Sequence, residues 1–303
     1  MHAIDNRALN KRFIISILLT SLILVAEVIG GIISGSLALL SDAAHVFSDI
    51  FALGLSYFAL RLATRPPDDR HSYGWHRAEV LAALVNGVSL LVIAIGIAVE
   101  AWKRWQAPTQ VRSTEMMIIA IIGLVVNLVV AFVLGAHDHD HGESRVKTNL
   151  NVRSAFLHVV GDSISSLGVI VAALLIKLTA KTWIDPLVSV LIAVLILVSA
   201  YRVLRSSLHI LVEGVPEGLS VSRIRAAISQ LPEVESVHDL HVWSLSSEQV
   251  SLSAHVMLTR SAAESRAEAL EAIRAVLGEE FDIHHTTIQF EETACENGCG
   301  GCC

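Results

Sequence analysis

The chain contains one spacing of histidine and aspartate twice, since Asp49 follows His45 by four residues and Asp162 follows His158 by four. Residues four apart lie on one face of an α-helix, so each pair would present an imidazole and a carboxylate side by side. Where two such faces meet, two nitrogens and two oxygens converge. These donors suit a tetrahedral divalent cation, zinc above all.

Both pairs lie in long apolar segments. The 303-residue chain is 53% hydrophobic and 17% charged, with a mean hydropathy of +0.60, which argues against a soluble globular protein. Six segments approach the ~20 residues that a bilayer requires. They cover residues 13–33, 37–61, 79–102, 115–136, 155–177 and 184–204. The sequence therefore predicts an α-helical membrane protein with six transmembrane helices.

A histidine or aspartate inside lipid has two interpretations. A single one is often a helix-packing residue with a hydrogen-bonded partner, whereas two identical pairs on separate spans favour ligation. Two carboxylates would also neutralise the double charge of the ion, at a depth where an isolated charge costs at least about 3 kcal/mol. A four-ligand site at this depth predicts transport of the ion.

Basic residues near the span ends predict the orientation. They are more frequent before the first span, after the last, and in the second and fourth connections. The positive-inside rule then places both termini in the cytoplasm, and the compact size favours a bacterial inner membrane. The net charge of −7 gives no basic surface for nucleic acid.

The last hundred residues change character. Their pattern predicts a helix at 219–230, strands at 236–246 and 249–258, a helix at 262–278 and a strand at 282–291. This α-β-β-α-β order is typical of a ferredoxin-like α+β domain, small enough to benefit from dimerisation. We expect a cytoplasmic N-terminal segment (1–12), a transmembrane domain (13–205), a cytoplasmic metal-binding domain (206–292) and a Cys-rich tail (293–303).

Two connections between spans carry further residues of metal-binding type. The fourth connection contains a His/Asp alternation that indicates a flexible segment for collecting metal, with a solvated linker as the alternative. Its histidines are His137, His139 and His141. In the second connection, Asp68 and His71 could share a cation, although an aspartate after two prolines is also ordinary turn chemistry.

The terminal region has two more such groups. Histidines on neighbouring strands can meet across a sheet with Glu291 close by, although a strand histidine is often only a half-buried polar residue. They are His238, His241, His255, His284 and His285. The tail holds four cysteines, for which a cytoplasmic location favours capture of soft metals over disulfides. An accessory tail or a redox-sensitive thiol cluster is the alternative. The four are Cys295, Cys299, Cys302 and Cys303.

These motifs resemble the cation diffusion facilitator family, in its zinc-transporting branch. The resemblance rests on residues 35–49, 157–163 and 183–186, and on the predicted strands around 238–243 and 253–256. It implies a homodimer with six helices per protomer, a cytoplasmic metallochaperone-like domain, and exchange of a metal ion against protons by alternating access.

The resemblance also implies roles for individual residues. His45, Asp49, His158 and Asp162 match the transport quartet, and a histidine at the position of His45 is the pattern of zinc-preferring members. The cytoplasmic zinc cluster would comprise His241, His255, His284 and Glu291. His238 matches a ligand position of another bacterial branch. Some relatives have a ligand histidine where this chain has Trp75, which argues against a site at Asp68 and His71.

The sequence therefore predicts a zinc/proton antiporter, a secondary active transporter rather than an enzyme. Zn²⁺ would be both the transported ion and a structural or regulatory ion, with H⁺, the lipid bilayer and a second copy of the chain as partners. The alternatives are a membrane metal sensor and an exporter of a broader set of divalent metals, including Cd²⁺ and Co²⁺. A membrane metallohydrolase is disfavoured because four protein ligands would fill the position that catalytic zinc leaves open.

Truncation after Glu292 would delete every cysteine. We expect zinc transport to persist and zinc binding by the cytoplasmic part to weaken, because the tail is terminal, Gly-rich and outside the predicted α-β-β-α-β core. Zinc flux into sealed vesicles and the zinc stoichiometry of the purified chain measure the two effects. Loss of flux in a correctly assembled protein would contradict this expectation.

Overall fold

The structure is a computed structural model that describes residues 6–135, 146–246, 249–262 and 265–291, with side chains over 17–130, 161–246, 249–262 and 265–291. Within these ranges the first part of the chain forms six long helices: α1 (Asn6–Ser34), α2 (Leu37–Ala63), α3 (Arg77–Gln106), α4 (Ser113–Gly135), α5 (Val146–Thr179) and α6 (Ile184–Leu211). Each contains a stretch long and apolar enough to cross a membrane. The six predicted spans are confirmed. Most helices extend beyond the predicted ends because helical backbone continues into polar flanks such as Lys103 and Arg104.

The chain forms two compact units, of which the first comprises residues 1–55 and 85–202. Its core is one cluster of buried side chains from α2 to α6, and many of them are alanines, which let helices approach closely. They include Ala38, Ala94, Ala120, Ala172, Ala173, Ala193 and Ala200. Large apolar side chains such as Leu22, Val92 and Leu178 are exposed, as helix faces in contact with lipid should be.

Glycines allow α1 and α4 to approach each other closely. A Cβ atom on Gly30 would overlap the side chain of Ile119, and one on Gly123 would lie 2.8 Å from Oε1 of Glu27. Glu27 is almost completely buried. Because Gly123 has no side chain, it leaves room for the carboxyl group of Glu27.

A sharp turn at Gly35 separates α1 from α2. Gly35 has a φ of +70° and a Cβ there would lie 2.9 Å from the carbonyl oxygen of Gln110. Residues with a side chain rarely adopt this conformation. The carbonyl oxygen of Gly35 accepts a hydrogen bond of 2.6 Å from Nη1 of Arg104, so the turn is also tied to α3.

The second unit comprises residues 56–84 and 203–303. Its described part contains α7 (Val221–Ser229), β1 (Val234–Ser244), β2 (Val250–Leu258), α8 (Arg266–Phe281) and β3 (His285–Glu291). The predicted α-β-β-α-β order is confirmed. The sheet has the order β1-β2-β3, with β1 antiparallel and β3 parallel to β2. The helix α8 is the crossover that a parallel pair requires.

Three predicted boundaries in this region were wrong by three or four residues. The second helix begins at Arg266 rather than 262 and ends at Phe281 rather than 278, and the last strand begins at His285 rather than 282. The strand starts late because Asp282 adopts a left-handed conformation, with φ 56°, and its N–H bonds to the carbonyl of Leu277. This arrangement terminates α8 and turns the chain toward β3.

Alternation along β2 separates the two faces of the sheet. Leu252, Ala254 and Val256 are buried in one cluster with Ile224 of α7 and Ile273 of α8. The residues between them on β2 therefore point to the face opposite the helices. That face carries polar strand residues such as Ser253 and His255.

We expect Gly35→Ala to destabilise the purified protein by about 1–2 kcal/mol, because alanine is strained at positive φ. Gly54→Ala is the matched control, since nothing lies within 4 Å of a Cβ at that helical position and alanine favours helix by up to about 1 kcal/mol. Thermal unfolding of both variants in detergent measures the difference. Equal stability of the two variants would contradict the role of the turn.

Candidate functional site

The predicted transport residues of α2 and α5 lie together in the first unit. His45 and Asp49 occupy successive turns of α2, and Asp162 projects from α5. Nε2 of His45 lies 3.9 Å from Oδ2 of Asp49 and 3.6 Å from Oδ1 of Asp162. All three side chains are partly buried, and their donor atoms lie within 4.8 Å of one another.

These distances are close to those of a metal site. Donors about 2.0–2.1 Å from a tetrahedral zinc ion are about 3.3 Å apart, so small side-chain movements would bring all three atoms onto one ion. The fourth predicted ligand, His158, lies in α5, but its side chain is outside the described residues. Its backbone position is one turn before Asp162, on the same helix face.

Two further carboxyl groups lie near this group and were not predicted as site residues. Asp42 is buried in α2, three residues before His45, and accepts a hydrogen bond of 3.1 Å from Oγ of Ser166 on α5. Glu27 of α1 is also buried. Asp42 and Glu27 share one feature that is visible in the sequence, since each is an acidic residue inside an apolar span.

The Asp42–Ser166 hydrogen bond joins the two helices that carry the candidate ligands. Because apolar contacts alone specify the relative position of two helices in lipid only weakly, a buried polar contact adds directional information. Asp42 therefore helps to hold α2 against α5 at the level of His45 and Asp162.

The second unit contains another group of possible ligands, His238 on β1, His255 on β2 and Glu291 on β3. Nε2 of His238 lies 2.9 Å from Oε2 of Glu291, and Nδ1 of His255 lies 2.9 Å from Oε1 of Glu291. The donor atoms of all three lie within 4.8 Å of one another. The group is partly buried on the face of the sheet opposite the helices.

A β-bulge decides which residues of β1 reach this face. His238 pairs with His255, but the register shifts before His241, which pairs with Ser253. Paired residues share a face, so His238 and His241 point the same way although they are three positions apart in the sequence. Strict alternation would have put them on opposite faces.

Asp239, in the bulge, was not predicted as a site residue. It has a positive φ of 49°, and its carboxylate lies between two histidines, 3.0 Å from Nε2 of His241 and 3.7 Å from Nε2 of His255. No sequence signal identified it, because regular strand geometry would place it on the other face from His238.

The remaining predicted histidines of the domain have other neighbours. His284 is exposed and its Nε2 lies 2.9 Å from Oδ1 of Asp282. The ring of His285 contacts the ring edge of Tyr73, with centroids 5.8 Å apart. Within the part of the chain that the structure describes, His241 and His284 lie outside the group formed by His238, His255 and Glu291.

Asp68 and His71 form a local turn in the second connection. Oδ1 of Asp68 accepts hydrogen bonds from the backbone N–H groups of Arg70, at 2.8 Å, and His71, at 2.7 Å. These bonds lower the pKa of Asp68 below its ordinary value, because they stabilise the ionised carboxylate. Nδ1 of His71 lies 3.0 Å from the same oxygen, and the imidazole packs on the ring of Trp75. This geometry is the turn chemistry given above as the alternative to a cation site.

Seven predicted candidates lie outside the described residues, so the structure gives no placement for them. They are His137, His139, His141, Cys295, Cys299, Cys302 and Cys303.

Comparison with known proteins identifies the family. Residues 13–212 match the cation efflux transmembrane domain, and residues 216–293 match the cytoplasmic domain of cation efflux proteins. The chain belongs to the cation diffusion facilitator family. It is therefore a multi-pass membrane transport protein rather than an enzyme, and the predicted resemblance is confirmed.

The relatives that match almost the whole chain include three bacterial proteins. The metal cation efflux system protein CzcD of Cupriavidus metallidurans is 39% identical over 296 residues, covering 97% of this chain and 91% of the relative. The cadmium, cobalt and zinc/H⁺-K⁺ antiporter of Bacillus subtilis is 40% identical, with coverages of 95% and 91%. The zinc transporter ZitB of Escherichia coli is 39% identical, with coverages of 96% and 90%.

Proposed function

We propose that this cation diffusion facilitator exports Zn²⁺ from the cytoplasm in exchange for protons. The ion would bind His45, Asp49, His158 and Asp162 and cross by alternating access. The observation that supports this proposal is the meeting of His45 with Asp49 and Asp162 between two membrane-spanning helices.

The donor set fits the charge and the coordination of zinc. Imidazole nitrogen and carboxylate oxygen are both common zinc ligands, and two carboxylates neutralise Zn²⁺. Neutralisation matters because an ion without compensating charge is costly inside a bilayer. The three described side chains are only partly buried, so an ion could reach them without a large rearrangement of the helices.

Competition between zinc and protons would couple the two movements. Metal binding requires neutral imidazole and ionised carboxylate, so each bound zinc ion displaces protons. In the state open to the cytoplasm zinc replaces protons, and in the opposite state protons replace zinc. His45 and His158 are the expected proton carriers because imidazole titrates near neutral pH.

The names of the relatives support zinc and also a wider range of metals. ZitB is named as a zinc transporter, whereas the Bacillus protein is named for cadmium, cobalt and zinc, and as an antiporter of H⁺ and K⁺. Export of Cd²⁺ and Co²⁺ is therefore the second candidate for this chain. A zinc sensor without transport is the remaining alternative, and zinc flux measured in sealed vesicles would separate it from the transporter.

The cytoplasmic group would bind a second, regulatory zinc ion. His238, His255 and Glu291 offer two nitrogens and one carboxylate in reach of one ion, and His241, held by Asp239 on the same face, lies beside them. His284, His285 and the tail cysteines remain candidate contributors from the sequence. Residues 206–292 would form this cytoplasmic domain. The protein would be a homodimer in the inner membrane of a bacterial cell, with both termini in the cytoplasm.

We expect Asp49→Ala and Asp162→Ala to abolish zinc transport without preventing insertion, because each removes a ligand and half of the compensating charge. Zinc and proton flux in proteoliposomes with imposed pH gradients of both signs measures the effect. Glu115→Ala, which changes an acidic residue in the first turn of α4, is the matched control and should retain flux. Wild-type flux in either aspartate variant would exclude the proposed site.

The variant His45→Asp should loosen selectivity toward cadmium. It replaces a nitrogen donor by an oxygen donor and adds a third negative charge, so the shell becomes less like one that prefers zinc. Competition between zinc and cadmium in the same vesicles measures the ratio of the two transport rates. An unchanged ratio would mean that selectivity is set at another position.

A further inference from the structure

A carboxylate in α6 binds the start of α2. Asp185 is completely buried in the first turn of α6. Its Oδ1 accepts a hydrogen bond of 2.6 Å from Oγ of Ser36 and one of 3.2 Å from the N–H of Ala38. Its Oδ2 accepts a hydrogen bond of 2.7 Å from the N–H of Leu37. One side chain thus binds three successive residues at the start of α2, Ser36, Leu37 and Ala38.

These contacts satisfy the first turn of α2. The first N–H groups of a helix have no partner within the helix and require an acceptor from outside. Ser36 acts as the N-cap, since its Oγ accepts the N–H of Leu39 at 3.1 Å. Asp185 supplies acceptors for the N–H groups of Leu37 and Ala38. The helix start is therefore fixed by two side chains, one of them 149 residues away in the sequence.

Arg104 of α3 completes the cluster. Its Nη1 lies 3.8 Å from Oδ2 of Asp185 and donates to the carbonyl oxygen of Gly35 at 2.6 Å, while its Nε donates to Glu100 at 3.1 Å. Donors from α2 and a guanidinium from α3 thus converge on one carboxylate. Charge-assisted hydrogen bonds of this kind are stronger and more directional than neutral ones.

The cluster controls the position of α2 along and around its own axis. His45 follows Leu37 by eight residues, which is about 12 Å along the helix. A slip of α2 by one residue would move His45 by about 1.5 Å and rotate it by about 100°, which would turn it away from Asp162. The apolar faces of α2 resist such a slip only weakly in lipid, whereas Asp185 holds consecutive N–H groups in a single register.

We propose that Asp185 is a positioning residue for the transport site, because it fixes the register of the helix that carries His45 and Asp49. The inference rests on the proposed function of those two residues. Asp185 does not bind the ion. It sets the distance between the ligands of α2 and those of α5.

The variant Asp185→Asn tests this role. Asparagine keeps the size but replaces one acceptor oxygen by an amide NH₂ group, which cannot accept a hydrogen bond from the start of α2. We expect the KM for zinc to rise on the order of tenfold, the size of effect seen when partners that orient metal ligands are changed. We also expect the ratio of zinc to cadmium transport to change, because a displaced ligand alters the geometry offered to ions of different size.

Ser189→Ala is the matched control. Ser189 is buried in the same helix, and its Oγ donates to the main-chain carbonyl of Asp185 at 2.8 Å, so this variant removes a neighbouring hydrogen bond and leaves the carboxylate contacts in place. It should retain the wild-type KM and metal ratio. Rates in proteoliposomes are compared per amount of folded, inserted protein. If Asp185→Asn does not fold, Ser36→Ala removes one of the three contacts and should shift KM and the metal ratio in the same direction.

The outcomes separate positioning from folding. A lower amount of folded protein with unchanged KM and metal ratio would overturn the proposal, since a purely structural cap would change only the quantity of transporter. Unchanged kinetics in both Asp185→Asn and Ser36→Ala would overturn it as well. Asp49→Ala is measured in parallel: wild-type flux in that variant would exclude the transport site itself, whereas its loss together with normal Asp185→Asn kinetics would exclude only the positioning role.

Discussion

The transmembrane part of this protein depends on how carboxylates are accommodated where water is scarce. Four buried or partly buried aspartates of this part have different partners. Asp49 and Asp162 lie beside the imidazole of His45. Asp42 accepts a hydrogen bond from the hydroxyl of Ser166. Asp185 accepts hydrogen bonds from backbone N–H groups and lies close to Arg104. The partners decide the role of each carboxylate. A carboxylate whose oxygens accept hydrogen bonds from a full set of donors has a structural role. A carboxylate beside an imidazole retains lone pairs with which to bind a cation.

The helix α2 is where these constraints meet. Its start is defined by the left-handed turn at Gly35 and by the contacts of Asp185. Its second turn is joined to α5 by the hydrogen bond between Asp42 and Ser166. His45 lies within one turn of Asp42 and about two turns from Leu37, so both contacts constrain its position. Ligands held in this way need little reorganisation when an ion binds, which favours both affinity and discrimination between ions.

The cytoplasmic domain divides its sheet between stability and binding. One face packs Leu252, Ala254 and Val256 against α7 and α8, while the other carries His238, His255 and Glu291. The bulge at Asp239 adds His241 to the second face. A bulge can redirect a side chain without disturbing the core because it inserts one residue into one strand only. Substitutions on the polar face of the sheet should therefore have little effect on the packing of the core.

The sequence by itself determined the six spans, the α-β-β-α-β order and the pairing of histidine with aspartate at four-residue spacing, because these features follow from local periodicity. It did not predict the roles of Asp185 and Asp42, nor that Asp239 would contact His241 and His255. The first two depend on which helices become neighbours, and the third on a shift in strand register. Such relations join residues far apart in the chain, and periodicity carries no information about them. Only the tertiary structure decided which buried carboxylates lie beside an imidazole and which hold the helices in place.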